Sequence, residues 1–194
     1  MGGWYDSELT ELGLVQAGAI AQRLGDLIPA FVPTEIHSSD LLRTLQTAEV
    51  IARQFDLPVQ TTPDLREKSY GEAEGQPQAW LEARFVYPPR SGNRLDHDEG
   101  LAGAESRREF ASRIYRAMDR IMAGSCPCQI VVTHGGALTF VVAAWIGMPL
   151  EATSYFAVKS TSGGITHLTE DNAFHNRIIA CLNDTSHLNT HEAT

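Results

Sequence analysis

Residues Gln129-Ile130-Val131-Val132-Thr133-His134-Gly135-Gly136-Ala137-Leu138 put a histidine and two glycines where a short apolar β-run gives way to a helical pattern. Such a junction suits an anion. A buried strand delivers the histidine to a sheet edge, the glycines let the backbone approach a ligand closely, and the next helix opens with N–H groups that have no intrahelical partner. A second strand-to-helix junction, Ser38-Ser39-Asp40-Leu41-Leu42-Arg43-Thr44, carries an arginine one turn into its helix. Its planar guanidinium can hold two phosphate oxygens at once, beside the positive end of the helix dipole. Alone, His134 reads as a strand-ending histidine bonded locally, and Arg43 as a surface arginine. Together they point to phosphate chemistry.

Glu67, in Asp64-Leu65-Arg66-Glu67-Lys68, follows the expected strand Pro58–Thr62. A carboxylate facing a phosphate pocket is repelled as an anion and tends to hold a proton that it can then donate. Spacing alone makes Glu67 a solvated surface residue, and Glu72, Glu74 and Glu105 compete for the acid role. Among the other histidines, His37 alternates with Ile36 on a strand as an internal residue, and His97 sits in the acidic run Asp96-His97-Asp98-Glu99 as a solvated loop residue. His167, His175, His187 and His191 read as surface residues. The run His134-Gly135-Gly136-Ala137 also matches the oxyanion loop of lipases, but the chain has no Gly-x-Ser-x-Gly elbow, which argues against serine-hydrolase chemistry.

The elements that must position these groups alternate between helix and strand, the pattern of an α/β fold with a mostly parallel sheet flanked by helices on both faces. A helix opens near Leu9–Leu12 with Thr10 as N-cap and an apolar stripe Leu12, Val15, Ala19, Ile20, Leu24. Strands are expected at Thr34–Ser38 and Pro58–Thr62, and a helix capped by Ser39 or Asp40 lies between them. Residues 63–103 are turn-rich, with Pro77, Pro88, Pro89, Gly92 and Gly100 and a short helix near Ala79–Phe85. A segment of this length in a compact domain is more often a functional cover than a linker. Trp80, Phe85 and Tyr87 either line a substrate cover or pack the loop. An amphipathic helix is expected over Glu105–Met122 and an apolar one over Ala137–Ile146. Strands follow at Tyr155–Lys159, Gly164–Thr169 and Asn176–Leu182. Residues 1–182 make one domain, and a loose polar tail begins at Asn183.

Composition narrows the class. The net charge of −9 argues against nucleic acid, and it requires an anionic substrate to find a local positive pocket. No apolar run reaches membrane-spanning length, so no membrane partner is expected. Three cysteines make no disulfide framework, which fits the cytoplasm. Cys126-Pro127-Cys128 lacks a matching second pair, so no metal and no cofactor are expected. A metal-dependent hydrolase built on Asp96-His97-Asp98 is a weaker reading.

Taken in order, the blocks resemble the histidine phosphatase superfamily, the phosphoglycerate-mutase-like proteins. They are Gly3-Trp4-Tyr5-Asp6-Ser7-Glu8-Leu9-Thr10 with Gly13 and Gln16-Ala17; Ser38-Ser39-Asp40-Leu41 with Arg43-Thr44 and Gln46-Thr47-Ala48; Leu65-Arg66-Glu67 with Tyr70-Gly71 and Glu74-Gly75; Gly103-Ala104-Glu105-Ser106; and Thr133-His134-Gly135-Gly136. The resemblance implies a phosphoenzyme mechanism. A nucleophilic histidine takes the phosphoryl group, a carboxylic acid protonates the leaving oxygen, and water hydrolyses the phosphohistidine. It makes Arg43 and His134 phosphate clamps, with help from the Gly135 N–H, and Glu67 the proton donor. It also implies a small phosphorylated metabolite as partner and leaves the oligomeric state open, a homodimer included.

The chain departs from the family's pattern at its start. The family's nucleophile lies in an Arg-His-Gly motif on a first strand upstream of the Gly-Trp block, and only Met1 and Gly2 precede that block here. A first strand interior to the sheet is therefore expected to be missing, leaving its neighbours with unpaired backbone groups. A start placed too late or a trimmed chain is the favoured account, and a natural degenerate protein the alternative. The parent reads as a phosphatase of small phosphate monoesters, because the cover is short for a mutase. The 194 residues themselves read as inactive or impaired. A non-catalytic phospho-ligand-binding protein and a phosphoglycerate-mutase-like phosphotransferase are the rivals.

Overall fold

Thr10 starts the first helix as the sequence suggests: its Oγ1 accepts the Gly13 N–H at 3.1 Å, and α1 runs Glu11–Leu27. In a computed structural model describing residues 2–188, there follow β1 (Thr34–Ser38), α2 (Leu42–Phe55), β2 (Val59–Thr61), α3 (Gln78–Glu82), α4 (Arg107–Met122), β3 (Cys128–Val132), α5 (Gly135–Trp145), β4 (Ile165–Glu170) and β5 (Arg177–Asp184).

The order β2-β1-β3 is parallel throughout, with Ile36 opposite both Val59 and Ile130. Strand alternation sends Ile36, Ile130 and Val132 to one face, where α1 and α2 cover them with Ala21, Ala48 and Ile51. Val131 points to the other face, against α4 and α5 with Phe110, Ile114, Met118 and Phe140. The Phe110 and Phe140 rings meet edge to face at 5.0 Å. The chain is thus an α/β sandwich with helices on both faces. Because the strands are parallel, Ser38 and Val132 end side by side. The loops that leave them open at the carboxyl end of the sheet, where ligands of such sheets bind.

Among the described residues, β4 and β5 form a separate antiparallel hairpin with no ladder to β3. The apolar run Tyr155–Lys159 is not a strand. A six-residue 3-10 turn occupies Leu150–Tyr155, and the Val158 N–H goes to the Thr139 hydroxyl at 3.1 Å rather than to a neighbouring strand. The loose tail expected from Asn183 is also corrected. β5 reaches Asp184, a turn follows at Ser186–Leu188, and the His187 ring, expected at the surface, is buried and bonded to the Gly163 carbonyl at 2.9 Å. Residues 189–194, His191 among them, lie outside the described residues. Among the described residues, no helix is long and apolar enough to cross a membrane.

Candidate active site

His134 caps α5 with extended backbone, so its ring leaves the sheet at the end of β3. The Ser39 N–H donates to the Val132 carbonyl at 3.0 Å, which locks the two junctions together. The His134 Nε2 then shares a 2.9 Å hydrogen bond with the Ser39 hydroxyl, itself fully buried. Burial pushes the His134 ring down to about 3. The charges of Arg43 and Arg113 add to this, and Asp40 opposes it. The ring is neutral at ordinary pH and so offers one donor and one acceptor rather than a charge.

That shift has a consequence for stability. An unfolded histidine takes its proton near 6.5. Between that pH and about 3 the unfolded chain holds a proton that the native chain refuses, so stability rises with pH across the window. The contribution is complete above pH 6.5 and is lost as pH falls below it. Urea unfolding is expected to show about 2 kcal/mol lost to this group between pH 7.5 and pH 5. His134→Gln should remove that part of the slope, and equal slopes in the two proteins would refute the assignment.

Arg43 reaches across from α2. Its two terminal nitrogens donate to the Tyr5 carbonyl at 2.9 Å and the Gly3 carbonyl at 2.8 Å. Burial lowers its pKa, while the nearby charges of Glu67, Asp6 and Glu74 hold the guanidinium cationic. The expected cap at Ser39 or Asp40 is corrected. Leu41 is the N-cap without a side-chain bond, and the Asp6 carboxylate accepts the Leu42 N–H at 2.6 Å. An acid from the Gly-Trp block therefore already occupies the α2 start, and the anion site there depends on the Arg43 side chain.

Glu67 stands at the other helix start. Its Oε2 accepts the Gly136 N–H at 2.8 Å and its Oε1 accepts the Lys68 N–H at 2.9 Å. A carboxylate thus sits on the α5 donor expected for an oxyanion. A Cβ on Gly136 would lie 2.5 Å from Glu67 Oε1, which explains the glycine. The rival acids are engaged elsewhere: Glu74 accepts from Ser69 and Tyr70, Glu72 from Ala102, and Glu105 pairs with Arg113.

The sequence gives no sign of what holds Glu67 in place. Arg113, buried in the middle of α4, donates to the carbonyls of Asp64, Arg66 and Glu67 at 3.1, 2.6 and 2.6 Å and binds both oxygens of Glu105 at 2.7 Å. The Trp4 indole N–H adds a 2.7 Å bond to the Glu67 carbonyl. Arg66 grips Asp40 through two 2.7 Å bonds and ties this loop to the Arg43 junction. The Arg66 bonds hold the Asp40 carboxyl below the usual carboxylate range.

Glu67, Gly135 and Gly136 line a cavity of about 400 Å³, the size of a small-metabolite pocket. Lys68, Tyr70, Pro88, Arg94, His97, Glu99 and Arg107 share its wall, whereas Arg43 and His134 do not line it; the Glu67 charge acts on Arg43, and the Arg43 charge on His134. His97 is corrected from a solvated loop residue to a wall residue whose Nε2 shares a 2.8 Å bond with the Val86 carbonyl. Trp80 and Phe85 instead pack on Ala73, Leu81 and Leu101. Burial, with Glu99 and Glu67 nearby, pushes the Tyr70 phenol up to about 12.

The profile of the histidine phosphatase superfamily (branch 1) matches residues 1–180. The chain belongs to that superfamily. The probable phosphoglycerate mutase GpmB of Yersinia pestis (strain Pestoides F) is 34% identical over 168 residues, covering 82% of this chain and 73% of that protein. A mycobacterial glucosyl-3-phosphoglycerate phosphatase, solved with inorganic phosphate, superposes with a TM-score of 0.76 at 26% identity, covering 96% of this chain and 92% of that one. The putative alpha-ribazole-5'-P phosphatase of Escherichia coli shares the fold, with a TM-score of 0.73 at 23% identity over 95% of this chain and 87% of its own. The neighbours share the parallel sheet flanked by helices on both faces.

Proposed function

We propose that this domain binds small phosphate monoesters for hydrolysis through a phosphohistidine. In this reading Arg43, His134 and the Gly135 N–H clamp the phosphoryl oxygens, and Glu67 protonates the leaving oxygen. The observation that carries it is the 2.8 Å bond from the Gly136 N–H to Glu67. An arriving phosphate competes with Glu67 for that donor, and the two anions repel. The repulsion drives a proton onto Glu67, the form a general acid needs. The phosphatase named for the solved neighbour supports hydrolysis over transfer.

We further propose that the 194 residues alone are impaired in turnover. They contain no Arg-His-Gly run, and the sheet among the described residues falls into two pieces. Inorganic phosphate should raise the melting temperature of the purified protein while p-nitrophenyl phosphate is turned over slowly at most. Absence of any phosphate effect would end the site reading. Brisk metal-independent hydrolysis with a trappable phosphohistidine would end the claim of impairment. Adding an Arg-His-Gly strand ahead of Gly3 is expected to give such hydrolysis, and failure to do so would favour a binding protein.

Glu67→Gln gives a separate check. The amide still accepts from Gly136 but carries no charge. Two like charges about 4 Å apart near a protein surface repel by about 4 kcal/mol, so inorganic phosphate should bind Glu67→Gln at least about tenfold more tightly than wild type. Weaker binding in titration calorimetry would show that Glu67 does not face the anion.

A further inference from the structure

Ser39 lies where β1 hands over to α2, and its backbone is fixed on both sides. Its N–H donates to the Val132 carbonyl at 3.0 Å, and its own carbonyl accepts from the Ser38 and Thr44 hydroxyls at 2.8 and 3.3 Å. The residue is fully buried, with its Oγ held 2.9 Å from the His134 Nε2. The same Oγ accepts the Leu41 N–H at 3.3 Å. A serine hydroxyl has one proton to give and two lone pairs to receive with. Among the described residues, the one bonded neighbour able to take that proton is the His134 Nε2. Were Nε2 itself protonated, two donors would point at Oγ and a buried hydroxyl proton would have no acceptor, which burial makes costly.

Other groups near the ring are engaged. Both Asp40 carboxylate oxygens are bonded to Arg66 at 2.7 Å, and the Thr133 hydroxyl donates to the Leu65 carbonyl at 2.8 Å. The His134 Nδ1 has no hydrogen-bond partner among the described residues, and it is not one of their buried unpaired atoms. A neutral imidazole carries a single ring proton, and the bond made by one nitrogen decides which of the two holds it. With Nε2 accepting from Ser39, that proton sits on Nδ1.

We propose that Ser39 is a positioning residue that fixes His134 in the Nδ1–H form, turning a neutral histidine into a hydrogen-bond donor for the phosphoryl oxygens. In the opposite tautomer the Nδ1 lone pair would meet an anionic oxygen, and the ring would repel what Arg43 attracts. Ser39, fully buried, acts only through the ring. The donor role rests on the phosphate reading of His134; the tautomer follows from the Ser39 bonds alone.

Long-range proton–nitrogen NMR of the histidine-labelled protein near neutral pH tests it, with the His134 signals identified by their loss in His134→Gln. In the wild type, Nε2 should read as an unprotonated, pyridine-type nitrogen and Nδ1 as a protonated one. In Ser39→Ala the two shifts should move toward each other as the nitrogens share the proton, and inorganic phosphate should bind about three- to tenfold more weakly by titration calorimetry. Ser39→Thr keeps a hydroxyl and should restore both the wild-type shifts and the affinity. A protonated Nε2 in the wild type would overturn the assignment, and that measurement needs no variant to fold. Wild-type shifts in folded Ser39→Ala would remove Ser39 as the cause, and unchanged phosphate affinity there would overturn the donor role. If inorganic phosphate fails to bind the wild type while the shifts are as expected, the phosphate reading falls and takes the donor role with it, a result distinct from a wrong tautomer.

Discussion

Arg43→Gln is expected to weaken inorganic phosphate binding by at least about 30-fold, since removing one partner of a hydrogen-bonded charge pair costs about 2–5 kcal/mol. The guanidinium brings a full positive charge to the Glu67–His134 region, where the His134 ring is neutral and Arg113 is already bonded to Glu105. It is pre-organised there by the Gly3 and Tyr5 carbonyls, which use two of its five N–H donors. Those two bonds also anchor the chain ahead of α1, so the variant should lose about 1–3 kcal/mol of stability as well. Arg43→Lys separates the effects: it restores the charge without the fork, so phosphate affinity should recover in part. Titration of both variants at constant ionic strength is the measurement. Wild-type affinity in folded Arg43→Gln would remove Arg43 from the site.

The groups gathered at the carboxyl end of the sheet differ in how they could be found. His134 and Arg43 were legible because each sits at a local junction: an apolar run, a turn and a helix start within ten residues. The strand register did the rest, since Ser38 and Val132 must end together once β1 and β3 pair in parallel. Glu67 was legible as one of four acids. Only the tertiary arrangement separates it from Glu105, whose carboxylate is taken by Arg113. The run Tyr155–Lys159 misled because alternation signals exposure on two sides, not a partner to pair with. Arg94 and His97 lie in a segment without periodicity, so no pattern could say that the cover turns them inward. Arg113 is the plainest case. Its helix gives it an ordinary interior position, and its carbonyl partners lie 46 to 49 residues away.

That distance makes Arg113 the residue with most to lose on substitution. The residue is 6% exposed, and its side chain closes five hydrogen bonds, two to Glu105 and three to the carbonyls of the Glu67 loop. Arg113→Gln leaves the Glu105 carboxylate half-buried without its cation and strands most of those carbonyls. Breaking a buried pair by removing one partner costs about 3–5 kcal/mol, a large share of a domain's total stability of about 5–15 kcal/mol. Urea unfolding should show that loss. The double variant Arg113→Met with Glu105→Leu removes the pair together and should recover part of it. Phosphate affinity distinguishes a positioning role from a purely structural one. In the double variant, stability returns in part but the Asp64, Arg66 and Glu67 carbonyls still lack their donor. Glu67 then no longer stands reliably on the Gly136 N–H, and the strengthening of phosphate binding expected from Glu67→Gln in the wild type should shrink. If that strengthening persists at full size in the double variant, Arg113 stabilises the fold without placing the acid.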